Sequence, residues 1–205
     1  QKTQLKITLS GNLECASGIG ASAALASSIA RALNEYFFLG MNDEQINEAA
    51  YEAEKAGSGN PSGIDNTCAT YGGMLVFEKN TQGGKNRIEP LKIKKPLLAV
   101  IASTGITQET KFIVADVKAL KDKNPAEFEK IFSEYSSVFE EALAALKKGD
   151  VKKIGSLMDR NHALLERMSL GCKEASEIIS AAKKAGALGA KLTGTGRGGL
   201  VICLA

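Results

Sequence analysis

The sequence predicts an α+β protein built in two parts, on three observations. Segments with helical periodicity are interleaved with short alternating or apolar runs, yet no regular βαβ repeat and no internal duplication appears. The character of the chain changes between Pro90 and Pro96, which places a boundary between residues 1–91 and 92–205. At 205 residues, 44% hydrophobic and 24% charged, the chain has room for one large domain or two modest ones and can bury a proper core.

The elements follow in order. "TQLKITL", residues 3–9, alternates polar and apolar and predicts a strand. A glycine loop comes next, then a helix from about Ser22 to Phe38. "MNDEQINEAAYEAEKAG" predicts a second helix, with Asn42 or Asp43 as N-cap, acids in the first turn and Gly57 as the stop. Its Ile46, Ala49, Ala50 and Ala53 share one face, so this helix packs. "GSGNPSGID" is too dense in turn formers to be regular structure. "GGMLVFEK" predicts a strand, "NTQGGKNR" a hairpin turn and "KKPLLAVIAS" a buried strand. Helices are expected at 107–122, 125–148, 150–168 and 171–185, with Asn124, Asp150 and Ser169 as caps and Gly149 and Gly186 as stops. "LGAKLTGTGRGGLVICL" closes the chain as two short strands around a glycine-rich loop.

Composition removes several functions. The net charge is only +3, with lysines spread among acids and no basic stripe interleaved with aromatics, so a nucleic-acid partner is not expected. No apolar run is long enough to span a bilayer, so no membrane partner is expected either. Four cysteines lie far apart with no Cys-x-x-Cys pair, which predicts free thiols and a cytoplasmic setting. The single histidine, His162, rules out a multi-histidine metal cage and sits in a helical stretch, where a structural role is expected.

Three segments can carry chemistry. "CASGIGASAALASS" sets Ser17, Gly18, Ile19, Gly20, Ala21, Ser22 and Ala23 at the start of a helix. Glycines allow close backbone approach, successive N–H groups can converge on an anion, and the helix dipole adds positive potential. This is neither the Walker pattern nor the dinucleotide fingerprint, and alone it fits a phosphate cradle and a tight packing turn equally well. In "EKAGSGNPSGIDN", Asp65 is a fixed carboxylate that can accept or orient the proton of an alcohol, or simply make an Asx turn. Glu54 can ligate a hard cation such as Mg2+, although singly it reads as a surface residue. "KLTGTGRGG", with Gly194, Thr195 and Gly196, allows close backbone approach to a ligand and its Arg197 can pair with a phosphate, although alone it reads as a tight hairpin with a solvated arginine.

The order of the three segments is more specific than any one of them. "SGIGASAA", then "NPSGIDN", then "KLTGTGRGG" resembles the GHMP kinase superfamily, and within it the mevalonate kinases. Ile19 stands for the family's leucine and Ala21 for its first serine, while the second serine is kept as Ser22. Arg197 stands where the family usually has glycine. Paired with "SGIGAS", "GTGRGG" is similar to a minority branch of trypanosomatid and some bacterial members.

The resemblance implies a two-subdomain GHMP fold. Residues 1–91 would be the remainder of an N-terminal ATP-binding domain like domain 2 of ribosomal protein S5. Residues 92–205 would be a ferredoxin-like C-terminal domain, with ATP in the cleft between the two. It implies phosphates on residues 17–23, Mg2+ on Ser22 and Glu54, and Asp65 taking or orienting the proton of the C5 hydroxyl of mevalonate. It places Thr110 and the Gly194–Thr195–Gly196 loop near the substrate, and leaves room for a homodimer. A kinase for phosphomevalonate or another small alcohol, and a non-catalytic nucleotide-binding paralogue, are the alternatives. The family's N-terminal Lys-Val-Ile-Leu-x-Gly-Glu-His type segment and the C-terminal strand expected after Ala205 do not occur in these residues. The chain is therefore expected to be the middle of a longer protein, and to be catalytically crippled by itself.

Overall fold

A computed structural model of the chain describes residues 4–11, 19–58 and 61–205. Its elements fall into two groups in chain order. The first contains helices α1 (Ala21–Tyr36), α2 (Asp43–Ser58) and α3 (Ile64–Tyr71), then a hairpin of β1 (Leu75–Glu78) and β2 (Arg87–Pro90). The second opens with β3 (Ala99–Ser103), continues through α4 (Thr110–Lys123), α5 (Pro125–Lys148), α6 (Val151–Arg167) and α7 (Lys173–Lys184), and ends in β4 (Gly189–Leu192) and β5 (Leu200–Leu204).

In the first group α1, α2 and α3 pack on one another. Asn42 starts α2 with a reciprocal cap: its Oδ1 accepts from the Gln45 N–H and its own N–H donates to Gln45 Oε1, both at 3.0 Å. Ile46 and Ala50 are buried on the predicted face, whereas Ala49 and Ala53 on the same stretch are exposed. Arg31 ties the three helices together, donating to Asp43 at the start of α2 and to the Thr70 carbonyl near the end of α3. The hairpin is antiparallel with Leu75 opposite Pro90 and Phe77 opposite Ile88.

In the second group the sheet is antiparallel throughout, in the order β3-β5-β4, with Ile101, Ile202 and Lys191 side by side. The main core joins α4, α5 and α6 through Ile113, Phe128, Ile131, Leu157 and Leu164, and reaches the sheet at Leu204. A second cluster seals α7 against the other sheet face through Ala175, Ala190, Leu192, Val201 and Cys203. The helix α5 spans the predicted residues, Asp150 caps α6 by accepting from the Lys153 N–H, and Gly149 and Gly186 stand just past helix ends at positive φ. Asn124 stands at the N-cap position of α5, but its side chain makes no capping bond.

Several expectations are corrected. Residues 4–10 form no strand: a strand is stabilised by its ladder, and among the described residues nothing pairs with this segment, which leaves Leu5, Ile7 and Leu9 exposed. The β3 strand forms but is not buried, because it occupies a sheet edge with Val100 and Ile101 open to solvent. Ser169 caps no helix; it takes a left-handed conformation (φ 59°) after α6, and Cys172 is the N-cap of α7. Helix α4 starts at Thr110 rather than near 107.

Among the described residues Cys68, Cys172 and Cys203 are free thiols, and no helix is long and apolar enough to cross a membrane. His162 is buried; its Nδ1 accepts from the Leu192 N–H, which joins α6 to β4.

Candidate active site

Packing of α1 against α2 and α3 brings the first two motifs into one place. Gly20 is the N-cap of α1 with φ 69°, a left-handed conformation that a residue with Cβ adopts at a cost. The first helical bond of α1 runs from Ala24 N–H to the Gly20 carbonyl. The N–H groups of Ala21, Ser22 and Ala23 therefore have no acceptor within the helix, and they sit at the positive end of its dipole. No side chain caps them from Gly20. Ser17 and Gly18 lie outside the described residues, and Ile19 leads into the turn exposed.

Ser22 Oγ donates to Glu54 Oε2 at 3.2 Å, across from α1 to α2. Two adjacent oxygen ligands of an octahedral Mg2+ stand about 2.9 Å apart, given metal–oxygen distances of about 2.1 Å. The Ser22–Glu54 pair therefore fits a hard cation without rearrangement of the helices. Among the described residues no cluster of three or more His, Cys, Asp or Glu side chains exists. The pair thus suits a cation that takes its remaining oxygens from phosphates and water, the usual habit of Mg2+.

Asp65 is the second residue of α3 and exposed. A Cβ placed on Gly20 would lie 3.5 Å from Asp65 Cβ and 3.8 Å from its Oδ1, so the carboxylate rests beside the Gly20 turn. The helix that carries Asp65 is fixed from behind. Asn66 is 2% exposed and donates to both Oδ1 (2.7 Å) and the carbonyl (3.2 Å) of Asn47 on α2. Thr67 Oγ1 donates to the Gly63 carbonyl at 2.6 Å, and Ser27 and Thr70 share a buried hydroxyl contact between α1 and α3. Sequence reasoning passed over Asn66 and Asn47. The signal for them was a polar side chain following Asp65 directly, in a helix whose other face is exposed.

Thr110 and the Gly194–Thr195–Gly196 loop belong to the second group, and no hydrogen bond or ion pair between described residues joins them to Ser22, Glu54 or Asp65. Thr110 is the exposed first residue of α4. The loop from 193 to 199 joins β4 to β5, as expected of a hairpin, and Gly196 and Gly198 are packed tightly while Gly194 and Gly199 have open space beside them. A Cβ on Gly196 would come within 2.7 Å of the Leu170 carbonyl, and one on Gly198 within 2.8 Å of the Ile106 carbonyl. Arg197 is not a solvated side chain. Its guanidinium pairs with Asp116 of α4 at 2.5 Å and donates to the Ser169 carbonyl at 2.9 Å, so it fastens the loop to the turn after α6.

The family-model comparisons match the description "GHMP kinases N terminal domain" at residues 1–73 and "GHMP kinases C terminal" at residues 142–205. The chain belongs to the GHMP kinases. This GHMP kinase is 32% identical over 206 residues to the mevalonate kinase of Thermococcus gammatolerans, covering 98% of the chain and 60% of the relative. It is 35% identical over 192 residues to the mevalonate kinase of Aeropyrum pernix, covering 91% of the chain and 56% of the relative. Among solved structures it is similar to L. major mevalonate kinase in complex with R-mevalonate, at 40% identity and a TM-score of 0.86, over 92% of this chain and 57% of that one. The chain thus spans about 60% of the length of the curated relatives it matches.

Proposed function

We propose that this GHMP kinase, in its complete form, transfers the γ-phosphoryl group of ATP to the C5 hydroxyl of mevalonate, giving 5-phosphomevalonate. The observation that carries the reading is the convergence of Ser22, Glu54 and Asp65 around the N-terminus of α1. The choice of mevalonate rests on the likeness to the mevalonate-bound L. major enzyme and to the curated mevalonate kinases.

Phosphoryl transfer asks a protein mainly for positioning and charge neutralisation. The free N–H groups of Ala21, Ser22 and Ala23, with Ser17 and Gly18 ahead of them, cradle phosphate oxygens at the positive end of α1. Ser22 and Glu54 hold Mg2+, which supplies neutralisation of the charge on the phosphates. Asp65 accepts or orients the proton of the attacking hydroxyl, and Asn66 and Asn47 keep its helix in place. Residues 1–91 and 92–205 serve as the two domains flanking the nucleotide, with Thr110 and the 194–196 loop on the substrate side. Free thiols agree with a cytoplasmic enzyme, and a homodimer is compatible with this scheme.

The test is ADP release by the complete protein with ATP, Mg2+ and each alcohol in turn. Turnover with mevalonate is expected. Turnover with phosphomevalonate alone would move the enzyme to a different substrate. Calorimetric ATP binding with no turnover on either alcohol would make it a nucleotide-binding paralogue.

A further inference from the structure

The second group contains a cleft of about 210 Å3 between α5, α6 and β4, and Ser22, Glu54 and Asp65 are not among the residues that line it. Its walls are mostly apolar, with Val138 and Phe139 on one side and Leu157 and Met158 on the other, and the residues with polar side-chain groups that line it are Tyr135, Asn161 and Lys191. Strand alternation explains the lysine: Ala190 and Leu192 face the α7 cluster, and Lys191 between them points to the opposite side of the sheet. No carboxylate among the described residues pairs with it, and burial alone pushes its pKa below the ordinary lysine value. A half-buried ammonium without a counter-ion is costly, so this position favours an anion delivered from outside.

We propose that this cleft binds a small amphiphilic anion, its charged head on Lys191 and its hydrocarbon tail between α5 and α6. An apolar cavity of about 150 Å3 accepts a six-carbon ring, so this one holds a tail of about eight carbons. The charge of Lys191 complements the head, and the apolar walls give an amphiphile a tail contact that a fully hydrophilic anion cannot make.

Calorimetric titration of the complete protein with octanoate, octyl phosphate and 1-octanol tests the site. Saturable binding of octanoate or octyl phosphate is expected, at least tenfold tighter than 1-octanol and undisturbed by saturating ATP. The tighter of the two anions identifies a carboxylate or a phosphate head. In Lys191→Met the anion should bind at least tenfold more weakly while 1-octanol is unaffected. Ala142→Phe, which fills the cleft from α5, should abolish binding of all three. Equal affinity for 1-octanol and both anions in the unmodified protein, no saturable binding of either anion, or displacement by ATP would overturn the proposal. The comparison on unmodified protein decides the matter even if a variant does not fold.

Discussion

Asp65 and Ser22 have different duties in the proposed reaction, so their variants should fail differently. A carboxylate that takes or orients a proton contributes about 10^2–10^4-fold to rate. Asp65→Asn in the complete enzyme should therefore lower kcat by about that factor with ATP affinity nearly unchanged; wild-type turnover would remove Asp65 from the reaction. Ser22→Ala takes one oxygen from the cation and should raise the Mg2+ concentration for half-maximal rate, with the rate recovering at high Mg2+. An unshifted Mg2+ titration would exclude that ligand. Phe38 makes a prediction about stability alone. It follows α1 at φ 53° and is 91% exposed, while the Leu39 N–H bonds back to the Asn34 carbonyl, the position where helices commonly end on glycine. Phe38→Gly gives up almost no burial and relieves the left-handed strain, and should raise stability by about 1 kcal/mol in urea unfolding. A candidate role for Ser22 and Asp65 was legible in the order of the three motifs, although either residue alone fits a packing turn or an Asx turn as well. That of Arg197 was not, because its partners Asp116 and Ser169 are 81 and 28 residues away.

Between elements, α6 and β4 meet at unusually short range. A Cβ on Gly189 would stand 2.0 Å from the Gly155 carbonyl oxygen, and one on Gly155 2.5 Å from the Leu188 backbone, so helix and strand meet backbone to backbone. Gly155→Ala should cost about 3 kcal/mol in equilibrium unfolding, since neither backbone can retreat without breaking the sheet. His162 bridges the same junction and makes it pH-sensitive. Burial lowers the imidazole pKa from 6.5, with Glu166, 3.6 Å from Nε2, pulling partly the other way. The unfolded chain then binds a proton near pH 6.5 that the folded one refuses, so the stabilisation present at pH 7 is lost as pH falls below 6.5 toward the folded value. The urea midpoint should drop between pH 7 and 5.5 and drop less in His162→Gln, whose amide oxygen can still accept from Leu192 N–H. An identical decline in both proteins would exonerate His162. Long helices such as α5 were readable from local periodicity and stops. The segment 4–10 was misread as a strand, and β3, correctly expected as a strand, was misread as buried, because a tendency to extend is local whereas a ladder partner and a covering layer are not.

At the scale of the molecule, the two groups of elements are unequally supported. The second has the large apolar core around Ile131, Leu157 and Leu164 and a second cluster under α7. Among the described residues the first buries only Ala23, Ile46, Ala50 and Val76 of its apolar side chains, beside the polar Ser27, Asn66, Thr67 and Thr70. Hydrogen-bonded polar interiors specify geometry well and add less stability than apolar burial of the same volume. The helices that carry the Gly20 turn and Asp65 should therefore open at lower free energy than α5 and α6. A ligand stabilises the state that binds it, by about 2.7 kcal/mol at a concentration of 100 times its Kd, and the gain goes to the segments whose opening destroys the site. In hydrogen exchange of the complete protein, α1–α3 should exchange well before α5 and α6, and ATP with Mg2+ should slow exchange in α1–α3 by about 100-fold while barely changing α5 and α6. Protection confined to α5 and α6, or uniform exchange before nucleotide is added, would contradict a phosphate site at the start of α1 and a weaker first half.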